Sequence, residues 1–302
     1  MNSYTHLIAK RKRQDRLFAA LGVFCMFVGI ATLLVLLGNL AVTGLSRVNW
    51  QFLSSFPSRR AGSAGVLSAW VGSLLVMFVT ALAAVPLGIA AGIYLEEYAK
   101  RSKLTAIIEI NISNLAGVPS IIYGLMALGL FVYQLKLGPT VITAGLTLAC
   151  LILPIVIVST RETLRSIPTG IREAAYALGA TRWQMIWHHL LPYSTGGITT
   201  GIIIALSRAI GETAPLVTIG ALTFIAFLPS PPLVPAPPYV SFDWLTSRFT
   251  VLPIQMFDWV SRPTADFHRN AAAAGLVLIA ITLSLNAVAI ALRYRSRRRI
   301  KW

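Results

Sequence analysis

Charged residues are scarce in this 302-residue chain, of which only 12% are Asp, Glu, Lys or Arg while 56% are hydrophobic. An ordinary soluble domain carries about 25% charged residues. Seven stretches of at least 23 residues hold no charge at all: 17–46, 61–95, 110–135, 137–160, 183–207, 213–242 and 270–292. A helix that spans a bilayer needs about 20 apolar residues. The composition therefore excludes a soluble globular domain and predicts a polytopic membrane protein.

Cysteines and catalytic sequence patterns are equally sparse. Cys25 and Cys150 both lie inside apolar stretches, and the chain has no CxxC pattern and no Cys/His cluster. Small buried hydrophobic side chains are the simplest interpretation of both, so no metal or redox site is predicted. HExxH, GxSxG and the nucleotide-binding pattern GxxxxGKS/T are also missing. These absences disfavour a membrane-embedded enzyme and predict no cofactor in this chain.

The apolar stretches predict an all-α membrane protein with six transmembrane helices. A basic cluster precedes the first stretch, as in a signal peptide, but this stretch is much longer than the about 7–15 residues of a signal-peptide core. We therefore expect a retained helix. The predicted helices are 17–44, 66–95, 104–134, 138–160, 192–227 and 270–292. In this division, basic tails 1–16 and 293–302 flank the first helix and a five-helix core over 66–292.

The net charge of +16 indicates an orientation in the membrane rather than a nucleic-acid partner. The two tails, the loop around Lys100 and the loop 161–191 together hold 18 of the 26 Lys and Arg residues, against 7 on the other side. Loops rich in Lys and Arg face the cytoplasm. Both termini and 161–191 are therefore expected in the cytoplasm, and 229–269 outside. Arg208 is the one cation left within a predicted helix.

The external loop 229–269 opens with six prolines in PSPPLVPAPP, a composition that favours extended structure. Aromatic residues follow, and we expect them to lie along the membrane surface: Trp244, Phe249, Phe257 and Trp259. The cytoplasmic loop is too short for a catalytic domain, which favours a soluble partner.

Residues 167–192 read IPTGIREAAYALGATRWQMIWHHLLP, in which Pro168 predicts a helix start and Gly179 a helix end. The pattern allows an amphipathic helix pair at the membrane interface. It also allows a knob of small side chains that inserts into a groove of a cytoplasmic partner. The residues of this knob are Glu173, Ala174, Ala175, Leu178 and Gly179.

These residues, followed by Leu191-Pro192, resemble the EAA loop of ATP-binding-cassette (ABC) importer permeases, whose pattern is EAA-x3-G-x9-I-x-LP; His189 stands where the family usually has Ile. Further stretches resemble the phosphate-specific permeases of the PstA type over most of 70–292: NISNLAGVPSIIYG (111–124), LKLGPTVITAGLTL (135–148), LPIVIVSTRETLRSIP (153–168), ALSRAIGETAPL (205–216) and TVLPIQMFDW (250–259). The resemblance implies the type I ABC importer permease fold and a place in the bacterial inner membrane.

The same resemblance implies the partners of this chain. They are a second, non-identical permease subunit, a homodimeric ABC ATPase that binds ATP and magnesium, and a periplasmic or extracellular phosphate-binding protein. In the family, the EAA loop is the coupling helix that docks into the ATPase. The lipid bilayer is the remaining partner, and no nucleic acid is expected.

Arg208 and Glu212 lie four residues apart, a spacing that places both on one helix face. Arg208 lies roughly 24 Å along the helix from Pro192. A charge at the membrane centre costs about 2.5–3.5 kcal/mol on insertion scales, so it normally faces the protein interior. The pair is either a structural ion pair or an oxyanion site, in which the arginine fork binds two oxygens and Glu212 prevents binding from becoming too tight. The resemblance favours the second role, with Thr213 beside the pair.

Other candidates carry weaker signals. Asn114, Ser120 and Tyr123 form a polar, broken patch that could line the pathway, although packing between helices explains it equally well. Arg161 at the cytoplasmic end of the fourth helix is a possible gate.

The sequence thus predicts a permease subunit that imports phosphate by alternating access, driven by ATP hydrolysis in a partner and without an ATPase site of its own. A permease for sulfate or molybdate is an alternative of the same class. A self-contained ion-coupled carrier or channel is an alternative of another class, because six helices could form a homodimeric pore.

Overall fold

The computed structural model describes residues 2–100, 102–231, 239 and 241–297. Within these ranges all regular structure is helical, apart from one isolated antiparallel bridge between Thr140 and Arg248. In the described part of the chain, five helices are long and apolar enough to cross a bilayer, or six when one bent pair counts as a single span. The predicted all-α membrane fold is confirmed.

Twelve α-helices are present in the described part of the chain. They are α1 (Asn2–Gly44), α2 (Trp50–Ser54), α3 (Leu67–Ile93), α4 (Lys103–Leu115), α5 (Ser120–Ala127), α6 (Val141–Arg165), α7 (Thr169–Ala177), α8 (Arg182–Met185), α9 (Leu191–Ile210), α10 (Ala214–Thr218), α11 (Leu252–Val260) and α12 (Ala265–Arg297). Helices α3, α5 and α8 continue into π-helical segments at Tyr94–Tyr98, Leu128–Gln134 and Ile186–Leu190. The basic residues 1–16, predicted as a separate tail, belong to α1 from Asn2 onward.

Helices α3, α6 and α9 form the centre of the bundle, and small residues let them approach closely. A Cβ atom on Gly88 would lie 2.6 Å from Cγ1 of Val156, and one on Gly92 would lie 2.7 Å from Cβ of Thr160. Gly201 of α9 likewise packs against Ser159 of α6. Membrane helices have no hydrophobic driving force between them, so close packing of small residues holds them together.

Helix α1 contacts the rest of the bundle near its C-terminal end. A Cβ atom on Gly44 would lie 2.6 Å from the backbone of Ala272, and Leu40 packs next to Gly275. Most apolar side chains between Leu17 and Leu36 are exposed. The first predicted transmembrane helix is therefore peripheral to this chain's own core.

The third predicted helix, 104–134, is not one straight helix. It breaks after Leu115, and the two parts, α4 and α5 with its π segment, meet at an angle of 104°. Pro119 stands directly before α5 with φ −54° and ψ 134°, which interrupts the helical hydrogen bonding. At the break, the carbonyl of Leu115 accepts two hydrogen bonds, from the N–H of Val118 at 3.1 Å and from the hydroxyl of Tyr123 at 2.8 Å.

The fifth predicted helix, 192–227, is wrong at its C-terminal end, because α9 ends at Ile210. Pro215 has no N–H to bond the carbonyl of Gly211, and its ring would clash with that carbonyl in a continuous helix. The five-residue α10 follows, and Gly220 has φ +90°, a left-handed conformation that favours glycine. The chain then continues in irregular structure as far as residue 231.

The end of the bundle opposite the EAA-like loop is closed by α2, α11 and the segments beside them. Arg47 joins three of these parts, since it donates to Oδ1 of Asn270 at 2.8 Å and to the carbonyl of Ala61 at 2.8 Å. The Pro-rich stretch predicted to be extended lies mainly outside the described residues, since 232–238 are not among them.

The expectation that four aromatic residues lie along the membrane surface is wrong for three of them. Trp244, Phe249 and Trp259 are buried inside the protein, and only Phe257 is exposed. The ring centroid of Trp259 lies 6.0 Å from that of Phe52 and 6.4 Å from that of Phe267. Aromatic rings bury large areas and pack well with one another, so the buried Trp244, Phe249 and Trp259 stabilise the closed end.

Candidate functional site

Arg208 and Glu212 lie at the point where α9 ends. Arg208 is in the last turn of the helix, and Glu212 follows in a tight turn in which its N–H bonds the carbonyl of Ala209 at 3.2 Å. Nε of Arg208 lies 3.5 Å from Oε1 of Glu212. The predicted pairing is therefore present, although Glu212 stands just beyond the helix rather than within it.

The guanidinium of Arg208 keeps most of its hydrogen-bonding capacity. Its side chain is 39% exposed and that of Glu212 is 19% exposed. Among the described residues, Glu212 is its one ionic partner, and the Nη atoms make no hydrogen bond. An arginine carries five N–H donors in a fixed fork, so several donors remain free for an anion.

A second broken helix lies against this site. Helix α5 packs on α10 so closely that a Cβ atom on Gly124 would lie 2.6 Å from Cα of Pro215. Tyr123, next in the chain, lies within electrostatic reach of Arg208. Helices α5 and α10, each of which follows a break, thus meet near the ion pair. Discontinuous helices of this kind form the substrate sites of many membrane transporters.

The structure brings some of the predicted pathway residues together and leaves others apart. Tyr123 lies within electrostatic reach of Arg208, and its hydroxyl bonds the carbonyl of Leu115 at the break in the third predicted helix. Thr213 is half-buried, and its carbonyl accepts the first hydrogen bonds of α10. Asn114 is exposed, Ser120 is half-buried at the start of α5, and neither bonds to Arg208 or Glu212.

Arg161, the predicted gate, is buried in a cluster of charges rather than free at a helix end. Its Nη2 lies 2.8 Å from Oε1 of Glu109, and its Nε lies 3.6 Å from Oε2 of Glu96. Arg165 also binds Glu96, at 3.2 Å. Arg161 therefore connects α6 to α4 and to the π segment that continues α3. Its side chain is only 8% exposed.

Glu96 and Glu97 are functional candidates that the sequence reasoning missed. They follow the charge-free stretch 61–95 directly, on the side of the membrane to which Arg161 and Arg172 were assigned. That placement was the signal available from the sequence. A cavity of about 840 Å³ opens beside them, and its lining includes both glutamates, Lys103, Arg165 and Arg172.

The EAA-like loop forms two short helices, as its pattern predicts. Helix α7 ends in a Schellman motif, in which Gly179 has φ +78° and Ala180 donates to the carbonyl of Ala175 at 3.1 Å. Ala175 is buried against the bundle, whereas Glu173, Ala174 and Gly179 are exposed. Leu178 is 88% exposed, which is unusual for a leucine unless a partner covers it.

Comparison with known proteins identifies the family. Residues 84–302 match the family described as binding-protein-dependent transport system inner membrane component. The phosphate transport system permease protein PstA of Yersinia pestis is 33% identical over 274 residues, which cover 89% of this chain and 86% of that protein. PstA of Mycobacterium leprae is 31% identical over 263 residues, or 85% and 81% of the two chains. The chain belongs to the PstA permease family.

A PstA-type permease is a transporter component and not itself an ATPase, which agrees with the missing nucleotide-binding pattern. Another relative, the probable ABC transporter permease protein YqgI of Bacillus subtilis, is 33% identical over 213 residues, or 70% of this chain and 72% of that protein. As a member of an inner membrane component family with several apolar helices, the chain is a multi-pass membrane protein.

Solved structures confirm the type I ABC importer permease fold of this PstA-type chain. A bacterial alginate ABC transporter matches with a TM-score of 0.64 at 15% identity, covering 93% of this chain and 94% of that one. The MetNI methionine ABC transporter in an inward-facing form matches with a TM-score of 0.58 at 18% identity, over 74% and 93%. At these identities the likeness concerns the fold alone.

Proposed function

We propose that this chain is a membrane subunit of an ABC importer that moves inorganic phosphate into the bacterial cell. The observation that carries the proposal is the Arg208–Glu212 pair, which holds free guanidinium donors where two broken helices meet. The names of the curated relatives, which are phosphate transport permeases, agree with an anionic cargo.

The chemistry of the pair suits phosphate better than sulfate. Near neutral pH, phosphate keeps at least one O–H group, so it can accept bonds from Arg208 and donate one to the Glu212 carboxylate. Sulfate has no proton to donate, and its oxygens would face the carboxylate with like charge. The carboxylate also competes for Arg208, which keeps the anion from binding too tightly to be released.

In the proposed assembly, the chain pairs with a second, non-identical permease, and both contact a homodimeric ABC ATPase that binds ATP and magnesium. Both termini and α7 face the cytoplasm, because that end carries most of the Lys and Arg residues. The exposed residues Glu173, Ala174, Leu178 and Gly179 contact the ATPase, while Ala175 anchors α7 to the bundle. A phosphate-binding protein docks at the opposite end, against 47–65 and 229–269.

The proposal is tested by co-purification followed by transport in proteoliposomes. The permease should co-purify with an ATPase, and radiolabelled phosphate should enter the vesicles only when ATP and the binding protein are supplied. Unlabelled sulfate in excess should not compete. Uptake driven by an ion gradient without ATP would instead favour a self-contained carrier, and competition by sulfate or molybdate would favour another oxyanion.

A further inference from the structure

Arg172, the residue directly before the EAA sequence, joins three elements through one guanidinium group. Its Nη2 and Nε donate to Oε1 of Glu97 at 2.7 and 3.1 Å. Its Nη1 donates to the carbonyl of Ile167 at 2.9 Å, and Nη2 also donates to the carbonyl of Leu164 at 2.9 Å. The side chain thus ties α7 to the C-terminal end of α6 and to the π segment after α3.

This contact is buried, unlike the pair between Arg165 and Glu162 at the same end of the bundle. The side chains of Arg172 and Glu97 are 18% and 7% exposed. Those of Arg165 and Glu162, an i,i+3 pair within α6 at 4.0 Å, are 54% and 64% exposed. An exposed pair contributes little, whereas the loss of one partner from a buried pair leaves an unpaired charge in a low-dielectric environment.

Side chains from α6, α7 and α8 all contact the π segment Tyr94–Tyr98. Glu96 binds Arg161 and Arg165 of α6, and Glu97 binds Arg172 of α7. The guanidinium of Arg182 in α8 lies 5.4 Å from the centre of the Tyr98 ring, within the range of a cation–π interaction. Both short helices of the EAA-like loop are therefore held by one segment.

Helix α3 connects this segment to the opposite end of the bundle. Near its start, the hydroxyl of Ser73 accepts the N–H of Leu252 at 2.9 Å, and the hydroxyl of Ser68 donates to the carbonyl of Ile225 at 3.0 Å. Between these ends, Gly88 and Gly92 keep α3 in close contact with α6. Because α3 is packed along its length, a displacement of α7 can be transmitted through α3 to the opposite end of the bundle.

We propose that Glu97 and Arg172 are positioning residues that transmit the movement of α7 to α3, so that ATP hydrolysis in the partner is converted into transport. The inference rests on the proposed function, because it assigns a role in coupling to residues outside the anion path. It goes beyond the contact between the EAA loop and the ATPase, since the transmitting pair lies wholly within this chain. When the link is broken, hydrolysis continues but no longer reorients the bundle.

The test compares phosphate imported with ATP hydrolysed, in proteoliposomes that contain the complete transporter and its binding protein. In Glu97→Gln and in Arg172→Gln, ATP hydrolysis should persist while phosphate imported per ATP falls by about tenfold, within the usual range of coupling between sites. The double variant should be about as impaired as the worse single variant, because both changes break one link. The matched control, Glu162→Gln, should keep the wild-type ratio.

A purely static role would give a different result. If hydrolysis and import fell together, so that the ratio stayed at the wild-type value, or if Glu162→Gln lowered the ratio equally, the inference would be overturned. Should Arg172→Gln fail to assemble, Arg172→Lys keeps the charge opposite Glu97 but loses the fork that reaches two carbonyls. Arg172→Lys should then import less phosphate per ATP hydrolysed than the wild type. A wild-type value in this variant would contradict the proposal.

Failure of the phosphate proposal would be distinguishable from failure of this link. A wild-type complex that carried sulfate instead of phosphate would overturn the cargo, and the ratio would then be measured with sulfate. A wild-type complex that moved its cargo without ATP would remove the basis for coupling altogether.

Discussion

Arg208 is held in the membrane region by a single carboxylate rather than by a closed network. Its pairing with Glu212 neutralises the charge, while the 3.5 Å separation and the 39% exposure leave guanidinium donors open. A buried structural pair would instead satisfy the remaining donors with further hydrogen bonds, as Arg172 does with two carbonyl groups. The contrast between these two arginines in one chain favours an anion site at Arg208.

Replacing Arg208 by alanine should abolish phosphate uptake while the transporter still assembles. Hydrogen bonds to charged groups contribute roughly 1.5–3 kcal/mol each, so loss of even one implies about a tenfold to hundredfold decrease. Uptake of labelled phosphate by cells that depend on this system, with immunoblots for assembly, measures both effects. Arg16→Ala is the control, because Arg16 is exposed in α1 and should not affect uptake. Normal uptake by Arg208→Ala would rule out the site.

Replacing Glu212 by glutamine keeps the size of the side chain and removes its negative charge. Transport should fall while the amount of protein in the membrane stays unchanged, because Arg208 would then hold the anion without competition. Sulfate should also compete better than in the wild type, since the like-charge repulsion is gone. Competition assays with both anions measure this change. Loss of the protein itself would indicate a structural ion pair.

Two broken helices build the site, and a close approach between them fixes its geometry. Helices α5 and α10 are short, yet they meet backbone to backbone at Gly124 and Pro215. The sequence contains the prolines that break both helices, Pro119 and Pro215, but it does not show whether the membrane tolerates a break at these positions. In the membrane a break persists only where protein groups satisfy the freed backbone atoms, as the Val118 N–H and the Tyr123 hydroxyl do for the carbonyl of Leu115.

A methyl group added at this crossing should destabilise the permease. Gly124→Ala places a Cβ atom against the α10 backbone, which cannot move as a side chain would, and overpacking costs about 1–3 kcal/mol. Thermal unfolding of the purified complex in detergent should show a lower midpoint than the wild type. Gly129→Ala, in the π segment that follows α5, has no neighbour within 4 Å of the added atom and should unfold like the wild type.

For individual helices and loops, local sequence patterns correctly predict the features that depend on residues close together in the chain. The EAA-like loop shows this: its helix start and its glycine end both follow from residues a few positions apart. The Arg208–Glu212 pairing follows from a four-residue spacing. By contrast, the bond between Arg172 and Glu97 joins residues 75 positions apart, and no local rule selects that partner.

At the scale of the whole molecule, one end of the bundle is rich in arginine and the other is closed by buried aromatic residues. Trp259 with Phe52 and Phe267 forms one part of this closed end, and Arg47, in the segment that follows α1, binds Asn270 of α12 over a separation of 223 residues. The side on which the binding protein would dock is thus stabilised by contacts within this chain.

The orientation follows from charge and can be checked by labelling. In a chain whose own cysteines are replaced by alanine, Ser261→Cys should react with a membrane-impermeant maleimide in intact cells or spheroplasts. Lys103→Cys should react only after the membrane is permeabilised, because it lies at the basic end. Both side chains are exposed, so accessibility depends on the side of the membrane. The reverse pattern would invert the proposed topology.

The amino-acid sequence alone shows that the chain is a membrane protein, where its apolar stretches lie, which end is basic and which charges remain inside. These properties depend on each segment separately, because the bilayer acts as a solvent that selects about 20 apolar residues at a time. The positions of the helix breaks, the burial of the aromatic residues and the glutamate partners of Arg161 and Arg172 became known only from the folded chain. Those outcomes depend on contacts between distant segments, where packing and the pairing of buried charges override local preference.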